Sequence, residues 1–389
     1  MIYKYLANTG IKVPSIAQGT TGLGSRQNFD PDRLKARISV MKCGIEAGLT
    51  FIDTAELYGG GFSEEITGGV IAGVRDKIFL ASKFNPDDFG GDSVFTSLEN
   101  SLRRLKTDYL DLYQVHWPNP SIPIDNIMRA LDKLIQSGKI RFAGLSNFSL
   151  NGFKAAESHL NGKIVSNQRE YNLLDRSVET DFLPYAIINN VTLLAYSPLN
   201  QGRLFSDLKQ GVVLAGLARK YEKSIAQVVL RWLIDHEPVI AVIKTGSIDH
   251  MKEIAASTDF NLEAQDFASI DNLCRTELAQ VPTDRIRLCG ISDRPVYATV
   301  AEALENKLDL IPSPANLAKL FERGDFVRPI RLQPTKDTSG RFLYDIDTYD
   351  IWDHVKKYWA WIMAFGNELP IPAFILGGKD EEIGHDGSL

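Results

Sequence analysis

Asp53, Tyr58, Lys83 and His116 each close or closely follow an apolar, strand-like run, and together they form a proton-donating set suited to reducing carbonyls. Reduction of an aldehyde or ketone needs hydride at carbon and a proton at oxygen, so an acid must stand where the alkoxide develops. Tyr58 offers a phenol. An unperturbed phenol titrates near ~10, and a neighbouring ammonium draws it down by stabilising the phenolate. Lys83 provides that charge, Asp53 pairs with the lysine to keep it charged and oriented, and His116 donates a hydrogen bond to the substrate oxygen. Taken singly, the four have plainer readings: a packed loop tyrosine, a structural ion pair and a satisfied loop histidine. Their shared position at the ends of successive strands favours chemistry, because that end is the catalytic face of a parallel β/α barrel.

The elements that must position them alternate along the chain. Short runs rich in β-branched and aliphatic residues fall at 15–18, 50–54, 78–82, 110–115, 142–145, 164–168, 192–195 and 239–243. Between them lie stretches of helical period, such as Val94, Leu98, Leu102 and Leu105, or residues 124–136 followed by the stop Ser137-Gly138. Eight strands separated by helices predict an α/β fold, a closed (β/α)8 TIM barrel. Ahead of the first barrel strand, Tyr3-Lys-Tyr-Leu6 and Ile11-Lys-Val13 flank Asn8-Thr-Gly10, which predicts an N-terminal hairpin able to plug the lower end of the barrel. From 281 onward prolines and a Trp/Tyr-rich run change the rhythm. The expected organisation is a barrel over residues 1–280, a small α+β domain over 281–376 and a tail over 377–389.

Composition narrows the function. The chain has 389 residues, a formal net charge of -6 and no long block of like charge, which gives no electrostatic reason to expect nucleic acid. No apolar run reaches the roughly 18 residues needed to span a bilayer, and the first residues lack a signal-peptide pattern, so no membrane is expected. Cys43, Cys274 and Cys289 are the three cysteines; they are widely spaced and point to a reducing, cytoplasmic setting. The histidines are scattered without ligand spacing, and no metal is implied.

Two longer motifs carry a resemblance. Gly48-Leu-Thr-Phe-Ile-Asp53-Thr-Ala, followed by Tyr58-Gly and Ser63-Glu64-Glu65, is similar to the first signature of the aldo-keto reductase superfamily. Ser101-Leu-Arg-Arg-Leu-Lys-Thr-Asp108-Tyr-Leu-Asp111-Leu-Tyr-Gln-Val-His116-Trp-Pro is similar to its second. The resemblance covers about residues 1–278. It implies the barrel fold, a catalytic tetrad of Tyr58, Lys83, Asp53 and His116, and a nicotinamide dinucleotide cofactor. It further implies that Ser146, Asn147 and Gln168 hold the nicotinamide carboxamide, and that Tyr196 stacks on the ring. Ser197, Leu199 and Gly202 lie where the family contacts the pyrophosphate. Lys244, Thr245, Ser247 and His250 fall in the adenosine-phosphate segment, where a lysine and small hydroxyls at a helix start suit an anion and favour NADP(H). His250 stands where many members have arginine and Ile254 where many have asparagine, so NAD(H) remains the alternative. No G-x-G-x-x-G opens a βαβ unit, as expected if the dinucleotide lies across a barrel mouth.

The implied function is NAD(P)H-dependent reduction of a small-molecule aldehyde or ketone to an alcohol, with Tyr58 as general acid. Loops at 84–91, 117–123 and 200–210 would set substrate choice, and their Asn and Asp residues lean toward a sugar-like substrate. The competing reading is a redox-sensing, cofactor-binding regulatory or docking protein with little turnover. Residues 281–376 faintly resemble a ParB/sulfiredoxin-like fold but lack its glycine and arginine after 342–346, and no cysteine follows Cys289; no chemistry is expected there. The aromatic run Tyr349, Trp352, Tyr358, Trp359 and Trp361 is expected to form a helix core. A docking role for this domain, or pairing into a homo-oligomer, is the sharper alternative.

Overall fold

The opening hairpin forms where the sequence predicts it. β1 (Tyr3–Tyr5) pairs antiparallel with β2 (Lys12–Pro14), with Gly10 at φ 74° in the turn between them. The computed structural model describes residues 1–27, 30–86, 91–160, 163–200, 208–273, 278–288, 297–308, 310, 312–323, 329–335, 348–353 and 355–375. The chain divides into two units, Met1–Cys274 and Arg275–Leu389.

In the first unit the strands are β3 (Ile16–Gly19), β4 (Phe51–Asp53), β5 (Phe79–Phe84), β6 (Leu110–Val115), β7 (Ile140–Ser146), β8 (Ile164–Glu170), β9 (Thr192–Tyr196) and β10 (Val239–Ile243). Each pairs parallel with the next, and β10 pairs with β3 to close the barrel. The helices are α1 (Pro31–Glu46), α2 (Phe62–Ile71), α3 (Gly91–Leu105), α4 (Ile124–Gln136), α5 (Leu150–Glu157), α6 (Phe182–Asn189), α7 (Leu208–Tyr221), α8 (Ile225–Asp235), α9 (Ile248–Ala255) and α10 (Ala264–Asp271). β7 starts two residues before the apolar run, where Ile140 pairs with Leu110, and Arg141, polar in sequence, reaches the buried carboxylate of Asp111 at 2.6 Å.

The barrel interior is apolar at the hairpin end. Leu6, Val13, Phe51, Phe79, Leu112 and Ile240 belong to one buried cluster, and the Phe51 and Phe79 rings meet edge to face at 4.8 Å. Hydrogen bonds tie the hairpin down: the Ala7 N–H donates to Thr192 Oγ1 at 2.9 Å and Lys4 Nζ to the His236 carbonyl at 2.8 Å. Outside the sheet, the fully buried Glu64 on α2 accepts from Ser82 of β5 and Arg104 of α3, both at 2.6 Å, which couples the two signature motifs.

The second unit is α+β. Its sheet has the order β11 (Leu278–Val281), β15 (Ile371–Ile375), β13 (Ile330–Pro334), β14 (Tyr349–Asp353), β12 (Ile286–Arg287), with helices α11 (Val300–Leu304), α12 (Pro314–Glu322) and α13 (Val355–Phe365). The division falls before the expected break at 280 because Leu278–Val281 pairs with β15 and so belongs to this sheet. Of the aromatic run, Tyr358, Trp359 and Trp361 form a helix core as expected, whereas Tyr349 and Trp352 are on strand β14. Both buried indoles on α13 are satisfied, Trp359 Nε1 by the Tyr297 carbonyl at 2.9 Å and Trp361 Nε1 by that of Leu369 at 3.0 Å. Residues 342–346 and the tail lie outside the described residues.

Candidate active site

Period-2 alternation carries the barrel interior from apolar to polar toward the C-terminal strand ends. Asp53 ends β4, Lys83 lies near the end of β5, His116 follows β6, and Tyr58 sits in the turn leading to α2. The structure brings all four together. Lys83 Nζ donates to Asp53 Oδ2 at 2.5 Å, to the Thr54 carbonyl at 3.0 Å and to Tyr58 Oη at 3.2 Å. All three ammonium hydrogens are therefore used, and one of them holds the phenol oxygen. The His116 ring stands edge-on to Tyr58, with centroids 5.6 Å apart, and its Nδ1 has no hydrogen-bond partner among the described residues.

Electrostatics assign the protonation states. Burial alone would pull Lys83 down, but Asp53 and then Tyr58 outweigh it and leave the amine above its ordinary value, hence charged. The Tyr58 phenol differs from the sequence expectation. Burial raises it more than Lys83 lowers it, and Asp53 adds to the rise, so the phenol holds its proton firmly. His116 is pushed well below its usual range by burial and then by the Lys83 charge, so its imidazole is neutral.

Asp53 is oriented by two amides besides the lysine: Gln168 Nε2 donates to Oδ1 at 3.0 Å and Gln114 Nε2 at 3.2 Å. Gln114 was not singled out from the sequence, although Leu112, Gln114 and His116 share one strand parity that pointed inward. The residues assigned to the carboxamide form one network with the tetrad. Ser146 Oγ donates to the Gln168 carbonyl at 3.2 Å, and Asn147 Nδ2 donates to Ser146 Oγ and to the His116 carbonyl, both at 3.0 Å. Tyr196 Oη donates to Asn147 Oδ1 at 2.9 Å, which fixes the tyrosine at the end of β9.

The strand-end loops hold non-glycine residues in left-handed backbone, Asn147 at φ 64°, Ser197 at 52° and Asn200 at 45°, a strain that collects at functional sites. Asn200 is buried and its Nδ2 has no hydrogen-bond partner among the described residues. Leu199 lies in the same turn; Gly202 lies outside the described residues. After β10, Thr245 Oγ1 accepts the Ser247 N–H at 3.1 Å, and Ser247 Oγ caps α9 by accepting the His250 N–H at 3.4 Å; neither bond uses the hydroxyl proton. Lys244 Nζ rests against the loop after β3, 3.2 Å from where a Cβ on Gly22 would lie. An ammonium and a buried amide with no partner among the described residues, together with two hydroxyls that keep a proton to donate, fit a phosphorylated dinucleotide. A cavity of about 360 Å³ adjoins Tyr58, lined by Thr21, Leu23, Arg33, Leu57 and Phe62 among others.

The profile of the aldo/keto reductase family matches residues 15–275. The chain belongs to this family. It is 38% identical over 263 residues to the methylglyoxal reductase YeaE of Escherichia coli, covering 67% of this chain and 91% of that one. To the glyoxal reductase of Bacillus subtilis it is 36% identical over 240 residues, covering 61% and 83%. The crystal structure of an aldo/keto reductase from Klebsiella pneumoniae in complex with NADP and acetate superposes with a TM-score of 0.65 at 36% identity, covering 69% and 94%. The family match ends at residue 275, so the ParB/sulfiredoxin-like resemblance of the second unit gains no support from it. Among the described residues no helix is long and apolar enough to cross a membrane, and no group of His, Cys, Asp or Glu could hold a metal ion.

Proposed function

We propose that this aldo/keto reductase uses NADP(H) to reduce a short, oxygen-rich aldehyde or ketone to its alcohol, with Tyr58 as the proton donor. When bound, NADPH supplies the hydride. The carrying observation is Lys83 Nζ held at once by Asp53 and Tyr58. As the phenol proton moves to the developing alkoxide, the fixed ammonium 3.2 Å away stabilises the phenolate left behind. The neutral imidazole of His116 aligns the carbonyl oxygen by donating a hydrogen bond and is not the proton source. Ser146, Asn147 and Gln168 orient the carboxamide, Tyr196 backs the ring, the turn at Ser197 and Leu199 receives the pyrophosphate, and Lys244, Thr245 and Ser247 receive the adenosine phosphate.

The names of the E. coli and B. subtilis relatives favour α-oxoaldehydes over the sugar-like substrate that the loops suggest. The cavity beside Tyr58 suits either, since its walls mix Thr21, Ser25 and Asp30 with Leu23, Leu34 and Phe62. Tyr58→Phe is expected to lower turnover by about 10²-fold or more with NADPH affinity unchanged. Equal turnover in the variant removes Tyr58 from the mechanism. Methylglyoxal and glyceraldehyde, compared by rates of NADPH oxidation, separate the two substrate classes; negligible rates on both beside tight NADPH binding would favour the sensor reading.

A further inference from the structure

One buried amide holds the strained turn after β9 from behind. Asn172, just past the end of β8, is fully buried. Its Oδ1 accepts the Leu174 and Asp175 N–H groups at 3.0 and 2.9 Å, which fixes the flip of the amide and aims Nδ2 at the Ser197 carbonyl, 3.1 Å away. That carbonyl also accepts the Asn200 N–H at 2.9 Å, and the carbonyl before it, of Tyr196, accepts the Tyr171 N–H at 3.4 Å. We propose that Asn172 is a positioning residue for the dinucleotide: by tying the Ser197 carbonyl inward, it holds the turn in the shape that receives the pyrophosphate. The proposal rests on the reading of NADP(H) as cofactor, with its pyrophosphate at Ser197 and Leu199.

β8 and β9 pair out to Glu170 and Tyr196, and there the backbone ladder stops. Ser197 takes φ 52°, a conformation that a side chain disfavours, so the turn needs a restraint from outside itself. Asn172 Nδ2 supplies it by standing where a further backbone donor of β8 would stand. Only a side-chain amide of this length can accept two N–H groups on one side and donate to a carbonyl on the other. With two successive carbonyls drawn toward the buried β8 side, the negative ends of both peptides point away from an anion on the exposed side of the turn.

Asn172→Asp keeps the shape and the acceptor but turns a second oxygen on the Ser197 carbonyl. A buried carboxyl there, beside Glu170 Oε1 at 3.4 Å and with Asp175 in the same turn, holds its proton to higher pH than usual, and the protonated form regains a donor. In calorimetric titration of the full chain, NADP⁺ should bind this variant about ten- to a hundredfold more weakly than wild type at pH 8, with the ratio narrowing toward one at pH 5. Asn172→Ala, which has no donor at either pH, should stay weak at both. Adenosine 2′-monophosphate, which lacks the pyrophosphate, should bind wild type and both variants within about twofold. Wild-type NADP⁺ affinity in Asn172→Asp at pH 8, a ratio that is the same at both pH values, or a loss shared by adenosine 2′-monophosphate overturns the proposal and leaves NADP(H) use standing. A wild-type chain that does not bind NADP⁺ overturns that reading, and the proposal with it.

Discussion

The two ends of the barrel are built from the same strands yet do opposite work. On β4, Phe51 and Asp53 face the same interior; on β5, so do Phe79 and Lys83. The hairpin end closes on aromatic and aliphatic side chains, and burying each of them fully contributes about 1.5–3 kcal/mol. At the other end, the same alternation delivers a carboxylate and an ammonium 2.5 Å apart, buried to 1% and 0% exposure. Such a pair adds little net stability, because desolvation offsets the attraction. Alternation thus decides only which residues face inward, while polarity decides whether a layer supports the fold or the proposed reaction.

Replacing the polar layer as a pair, with Asp53→Leu and Lys83→Met together, tests this division most severely. Turnover should fall about 10²- to 10⁴-fold with the melting temperature unchanged or raised; a large drop in melting temperature would show that the pair supports the fold after all. Phe51→Ala should give the converse, a loss of about 3–5 kcal/mol in denaturant unfolding with near-normal turnover per folded molecule. If turnover falls with stability, the two ends are not separable. Gln114→Leu removes one of the two amides on Asp53 and should cost only several-fold in turnover, with NADPH affinity unchanged; a steeper loss would make the amide as important as the lysine. The smallest effect concerns pH. The folded-state pKa of His116 lies below its unfolded value of ~6.5, so the stability it contributes is complete above ~6.5 and is lost as pH falls below it. The slope is at most about 1.4 kcal/mol per pH unit, and His116→Gln should flatten the melting-temperature curve between pH 7 and 5. An unchanged slope would mean that the imidazole is not held neutral.

Much of this site was legible because the tetrad residues lie inside long motifs at strand ends. Asp53, Tyr58, Lys83 and His116 occupy the predicted face, and the barrel strands lie where the apolar runs place them. What escaped was carried by pairing across strands and helices. Gln114 becomes meaningful only once β6 lies two strands from β4 with Asp53 inside its reach. For the Tyr58 phenol, sequence shows the neighbouring lysine but not the burial that outweighs it. In the second unit, the aromatic run around Tyr349 suits both helix and strand periods, and the pairing of β14 with β13 resolves the ambiguity.

The closing seam has a consequence for how the chain is made. Ile16 pairs with Ala241, Ala7 bonds to Thr192 and Lys4 to His236, so residues 4–16 dock on segments that emerge from the ribosome 185 residues or more later. Until Ile243 is out, β3 is an open edge with unpaired backbone groups, a template for the wrong partner. Nascent chains stalled before that point should aggregate or recruit chaperones, and those stalled well beyond it should resist protease, making barrel closure a late and abrupt event of biogenesis.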